Sequence, residues 1–165
     1  MTEGWHLVNA GDAAFRPSTI LVVDDYEPFR GFVSSTLRKH PKLVMIGEAR
    51  DGVEAVQQAE TLQPDLVVLD IGLPKMNGIE AAHVIREVAP NAKIVFLTQE
   101  TSLEVVQEAL SLGARGYVVK AQAHSELLGA LEAVLDGKRF VSNGLPMARF
   151  GEAQAGVAPR NREAG

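Results

Sequence analysis

Residues 66–70 read Leu-Val-Val-Leu-Asp, and residues 19–25 read Thr-Ile-Leu-Val-Val-Asp-Asp. Each is a short run of Val, Ile and Leu that stops on carboxylates. The apolar residues are continuous rather than alternating, as in a strand buried on both faces of a parallel sheet. Three further runs have the same character, at residues 43–46, 94–97 and 116–119.

Between the runs the apolar spacing is helical. Phe29, Phe32, Val33 and Leu37 share a face. So do Val53, Val56, Ala59 and Leu62, and later Leu127, Leu128, Leu131, Val134 and Leu135. Asp51 with Glu54, Asn77 with Glu80 and Thr101 with Glu104 have the spacing of capping boxes. Gly113 and Gly137 follow helical segments and suit C-terminal caps. The order is (βα)5. It predicts an α/β fold with a five-stranded parallel sheet, doubly wound by helices on both faces through right-handed crossovers.

The 165 residues suit one domain, with 46% hydrophobic and 22% charged residues. The net charge of -5 argues against a nucleic-acid or anionic-membrane binder. Absence of cysteine excludes disulfides, thiolate metal sites and thiol catalysis. No signal peptide is visible, and no apolar run approaches the ~18 residues of a spanning helix. A cytoplasmic protein is expected. Residues 1–18 read as a flexible leader and 143–165 as a flexible tail, around a domain at 19–142. Charge is unevenly placed: -1 over residues 1–18, -7 over 19–137 and +3 over 138–165.

In open parallel sheets, sites form beyond the carboxyl ends of the strands. Asp24, Asp25, Asp70, Thr98 and Lys120 all fall at that edge. Singly, each could be a strand-end turn residue or a solvated charge. Together, from four strands, they make an acidic rim that needs a compensating cation. With no Cys or His nearby in sequence, the ligands are hard oxygens, which select Mg²⁺, with Mn²⁺ as a substitute. Carboxylates beside such a metal, a Lys and a Thr hydroxyl are equipped for phosphoryl transfer, with an Asp as nucleophile. The Glu48-Ala49-Arg50 strand end carries no assignable role. The four histidines lack metal-ligand spacing, and no P-loop or G-x-G-x-x-G motif is present.

The stretches ILVVDDYEPFR, DLVVLDIGLPKMNGIEAAHVIRE, KIVFLTQ and GARGYVVKAQAHSELLGALEAVLDGKRFVS resemble receiver domains of bacterial two-component response regulators, most closely the NarL/FixJ type. The resemblance covers about residues 19–142. It implies a flavodoxin-like, CheY-like sheet of strand order 2-1-3-4-5. It implies that Asp70 is the phospho-acceptor and Asp25 a direct Mg²⁺ ligand. Asp24 would act on the metal through water, and the Gly72 backbone carbonyl would be a further ligand. Lys120 and Thr98 would bind the phosphoryl group, and Thr98 and Tyr117 would form the switch. The implied partners are a sensor histidine kinase or phosphotransfer protein and a downstream protein. A homodimer formed on phosphorylation is a further option, with no direct contact to nucleic acid or membrane. Ala121 stands where many members have Pro after the Lys, and Gln99 where many have a small residue.

Only 27 residues follow Lys138, against the ~60 of a helix-turn-helix output domain. A stand-alone receiver without a DNA-binding domain is expected, the alternative being a fragment of a longer regulator. An Asp-nucleophile, Mg²⁺-dependent phosphatase is the other class. Such enzymes carry a second Asp two positions beyond the nucleophile, where this chain has Gly72.

Overall fold

The structure, a computed structural model, describes residues 16–145. Most of the leader and tail read from the sequence, with Trp5, lies outside them. Twelve elements follow in order. They are β1 (Ser18–Val23), α1 (Glu27–Arg38), β2 (Leu43–Ala49), α2 (Gly52–Leu62), β3 (Leu66–Leu69) and α3 (Gly78–Val88). Then come β4 (Lys93–Thr98), α4 (Leu103–Ser111), β5 (Gly116–Val119), a 3₁₀ turn (Lys120–Gln122), α5 (Ala123–Leu135) and β6 (Phe140–Val141). The sheet order is β2-β1-β3-β4-β5-β6, and every pairing is parallel.

The five expected strands are present in the expected order, and β6 is an addition. Two residues preceded by Asp-Gly-Lys-Arg carry no apolar run, so the sequence pattern is silent there. Backbone pairing makes the strand instead: Gly116 lies opposite Phe140 and Tyr117 opposite Val141. Leu145, placed in the tail by sequence, is buried in the core.

Strand residues divide by parity between two cores. Leu21, Val23, Val67, Leu69 and Phe96 face α2, α3 and α4. Ile20, Val22, Val68, Leu97 and Val118 face α1 and α5, through Val33, Leu37, Leu127, Leu131 and Val134. Burying each such side chain contributes about 1.5–3 kcal/mol, which is why the strands read as unbroken apolar runs. The α2 face differs from the expected one. Gly52, Ala55 and Ala59 are buried, and Val53 is 39% exposed.

The helix starts follow side-chain chemistry. Asn77 and Glu80 form the complete capping box of α3. Asp51 accepts from the Glu54 amide, but Glu54 returns to the Arg50 amide, one residue outside the box. On α4 the cap is Ser102, accepting from Val105, and not Thr101. Gly113 and Gly137 take φ of 108° and 88° just past α4 and α5, as their capping role requires.

Gly78, the first residue of α3, is pressed against the carbonyl of Asp70, and a Cβ there would enter that oxygen and Ile71 Cα. Gly78→Ala is expected to cost ~1–3 kcal/mol or more. Gly129, exposed in α5 with open space around it, is expected to gain ~0.4–1 kcal/mol on substitution by Ala. Urea unfolding of the two variants checks both signs.

Candidate functional site

The parallel register brings the ends of β1, β3, β4 and β5 to one rim. Asp24 and Asp25 follow β1, Asp70 follows β3, Thr98 ends β4 and Lys120 follows β5. The backbone fixes the first two strand ends laterally. The Asp24 amide donates to the Ala49 carbonyl and the Asp70 amide to the Val23 carbonyl, at 3.1 and 3.0 Å.

All five side chains read from the sequence meet in this region. Asp24, Asp25 and Asp70 offer carboxylate oxygens within 4.8 Å of one another. Asp24 and Asp70 are buried and Asp25 is exposed. The Lys120 ammonium lies between the buried pair, 2.7 Å from Asp24 Oδ2 and 2.9 Å from Asp70 Oδ2. The other oxygens are tied to the main chain: Asp24 Oδ1 accepts from the Tyr26 amide and Asp70 Oδ1 from the Ile71 amide. The Lys120 ammonium also sits 4.7 Å from the centre of the Phe29 ring, a cation–π contact on its apolar side.

Burial pushes the Asp24 carboxyl above its ordinary value, aided by the Asp70 charge and opposed by the bonds from Lys120 and the Tyr26 amide. Burial would lower the Lys120 ammonium, but the bonds to Asp24 and Asp70 prevail and raise it. The cluster therefore holds its ammonium firmly and still carries more negative charge than one Lys balances. A hard divalent cation fits that donor set: three carboxylates and one ammonium leave an anionic excess. Gly72 lines the same open cleft of about 490 Å³, with Asp25, Asp70, Thr98, Gln99 and Lys120.

Thr98 is buried, and its hydroxyl accepts from the Glu100 amide at 3.4 Å. Tyr117 is wholly buried, its ring turned inward beside Phe96, and its hydroxyl donates to the Glu100 carbonyl at 2.8 Å. Burial raises its phenol well above the ordinary range. Thr98 and Tyr117 thus share the loop between β4 and α4. Ala121 lies in a 3₁₀ turn among described peptide bonds that are all trans.

Sequence reading missed a brace. Arg30 donates to the Asp24 carbonyl at 2.7 Å and pairs with Glu48 at 2.9 Å. Glu48, unassigned from sequence, thus anchors an arginine that holds the acidic turn. The only signal was a charged residue at a strand end. Of the histidines in the described residues, His40 pairs with Glu132 and His124 packs against Phe32.

The profile described as "Response regulator receiver domain" matches residues 20–132. The nitrate/nitrite response regulator protein NarL of Escherichia coli K12 is 33% identical over 147 residues, covering 89% of this chain and 68% of NarL. A protein-glutamate methylesterase/protein-glutamine glutaminase of Maricaulis maris is 40% identical over 134 residues, covering 80% of this chain and 32% of the relative. A LuxR-family two-component response regulator from Aurantimonas superposes with a TM-score of 0.76 at 32% identity, over 82% of this chain and 97% of that one. Among the described residues no helix is long and apolar enough to cross a membrane.

Removing Lys120 leaves two buried carboxylates facing each other. Lys120→Met is expected to cost about 3–5 kcal/mol at pH 7. Because the Asp24 pKa is raised in the fold, protonation on acidification relieves the repulsion. The deficit should shrink as pH falls towards the carboxylate range. Equal deficits at both ends of that pH series in urea titrations would mean that lost packing, not charge, is responsible.

Proposed function

Because the chain belongs to the response regulator receiver family, we propose that it is a phospho-accepting switch with Asp70 as the acceptor. The observation that carries the reading is the Lys120 ammonium bridging Asp24 and Asp70 beside Asp25, in a cleft open to a donor. One Asp70 carboxylate oxygen attacks the phosphorus of a phosphohistidine on a histidine kinase or phosphotransfer protein. An O–P bond forms, the P–N bond breaks, and the electron pair returns to the imidazole nitrogen, which takes a proton from solvent.

Asp25 and Asp70, the Gly72 carbonyl, and Asp24 through water would hold Mg²⁺ or Mn²⁺. When bound, that ion offsets the charge spread over the phosphoryl oxygens. Lys120 leaves the carboxylate pair for a phosphoryl oxygen. Thr98 supplies a hydroxyl donor to another. The Ile71 amide keeps one Asp70 oxygen fixed while the other reacts. The Thr98 movement draws on the β4–α4 loop, to which the Tyr117 hydroxyl is bonded. This shifts the balance between two pre-existing arrangements of that face.

The relatives suggest what such a switch serves. NarL is a longer response regulator, and other longer relatives are named transcriptional regulators, so a receiver acting within a DNA-binding transcriptional regulator is the second reading. It rests on the NarL match over 68% of that protein.

Incubated with Mg²⁺ and acetyl phosphate, the wild-type chain is expected to gain one phosphoryl group by intact mass. Asp70→Asn should gain none. An unchanged wild-type mass, with competent histidine kinases also failing, would sink the proposal. Mg²⁺ at 100 times its dissociation constant should add about 2.7 kcal/mol of stability. Asp25→Asn should lose most of that increment in thermal melts. An undiminished increment would remove Asp25 from the metal site.

A further inference from the structure

The edge of β5 is covered by the chain's own residues 140–145, and their attachments converge on Ser142. Its amide donates to the Tyr117 carbonyl at 2.9 Å, and the Phe140 amide donates to the Arg115 carbonyl at 3.0 Å. The Ser142 hydroxyl extends the ladder by one rung, accepting from the Val119 amide at 2.9 Å. The same hydroxyl donates to Glu126 of α5, whose second oxygen takes the Asn143 amide. Ser142 is fully buried, and Leu145 is buried in the core that also contains Tyr117.

Ser142 therefore bonds to two β5 residues linked to the rim, Tyr117 and Val119. Val119 directly precedes Lys120. Tyr117 is bonded through its hydroxyl to Glu100, whose amide donates to Thr98. Of the two residues expected to meet a phosphoryl group, Lys120 follows Val119 directly, and Thr98 lies opposite Val119 in the ladder and two links from Tyr117 through Glu100. From this geometry, and resting on the reading of Asp70 as acceptor, we infer that residues 140–145 form a reporter strap. Phosphorylation loosens the strap from β5 and so passes the state of the rim to the residues that follow Leu145.

The direction follows from where the fold is weakest. In the described state Lys120 is held by two carboxylates. A phosphoryl group on Asp70 sets new anionic oxygens before the ammonium and before Thr98, and both turn towards them. Their neighbours on β5 shift with them. Most of β5 lies between β4 and two layers of helix. Only the first two residues of the strap, β6, pair with β5 in the ladder, and at the edge of the sheet they have fewer backbone bonds to lose than the interior strands. A shift at Tyr117 and Val119 is absorbed there first. The strap is then the element with two arrangements that both sites bias, which coupling requires.

Hydrogen exchange tests this on the full chain, with intact mass read from the same samples. With Mg²⁺ and acetyl phosphate, the amides of Val119, Ser142 and Asn143 are expected to exchange at least ~5-fold faster, the lower end of ordinary intersite coupling. The amides of Leu21 and Val23 should be unchanged, and Asp70→Asn should show no effect. Ser142→Ala should raise exchange at Val119 and Asn143 without any phosphoryl donor, and phosphorylation should then add little. Leu145→Ala, which leaves the Ser142 bonds intact but removes the anchor, should act in the same direction. A chain that gains its phosphoryl group while strap exchange stays constant overturns the coupling alone. A chain that gains none overturns the reading of Asp70 and the coupling with it.

Discussion

Two buried carboxylates at one sheet edge need a cation between them, and in this protein the Lys120 ammonium fills that place. Two anions whose oxygens lie within 4.8 Å, both largely withdrawn from water, repel each other strongly at the reduced dielectric of a protein. The ammonium, at 2.7 and 2.9 Å from the two of them, converts repulsion into a bridge. The bridge also ties the end of β5 to the ends of β1 and β3, across β4. Strands that are not neighbours in the sheet are joined by charge at the one edge where the backbone ladder has ended.

Topology explains why the bridge forms at this edge. The sheet reverses direction of winding at β1, which lies between β2 and β3, and such a switch point opens a crevice at the carboxyl ends. Asp24 and Asp70 stand on the two sides of that crevice. Arg30 and Glu48 brace it from outside, and the Phe29 ring closes the apolar side of the ammonium. Burial holds the Asp24 carboxyl above its ordinary value even with Lys120 beside it. A carboxyl that would bind its proton more readily in the fold than in the open chain destabilises the fold at neutral pH. Retaining charge there, at a cost in stability, is in keeping with the proposed role of this rim.

The strands and the principal site residues were legible in sequence for one reason. Residues buried on both faces leave unbroken apolar runs, and the residue ending each run falls automatically at the site edge. Asp24, Asp25, Asp70, Thr98 and Lys120 could therefore be brought together without coordinates. What escaped depends on pairing across distance. Arg30 and Glu48 lie 18 positions apart and meet only because β2 lies beside β1. Ser142 and Glu126 meet only because the chain turns back after α5. Local competition misled the helix ends: Thr101 and Ser102 are both good caps, and the backbone selected the second. Val53 fitted the helical period, but α2 presents its small residues to its neighbours, and Val53 was turned outward.

The strap settles a problem that any open sheet faces. An edge strand with free amides and carbonyls is a template for unwanted pairing. On the β5 side, beside Tyr117, this chain supplies its own partner, β6. The partner is short, and two of its attachments go through one hydroxyl rather than a long ladder. A longer strand would protect the edge better but would respond less to β5. A cover held by Ser142, Glu126 and Leu145 shields the edge at rest and remains weak enough to respond to a small displacement of Tyr117 or Val119. Protection of the edge and sensitivity to the rim are then two consequences of the same limited pairing.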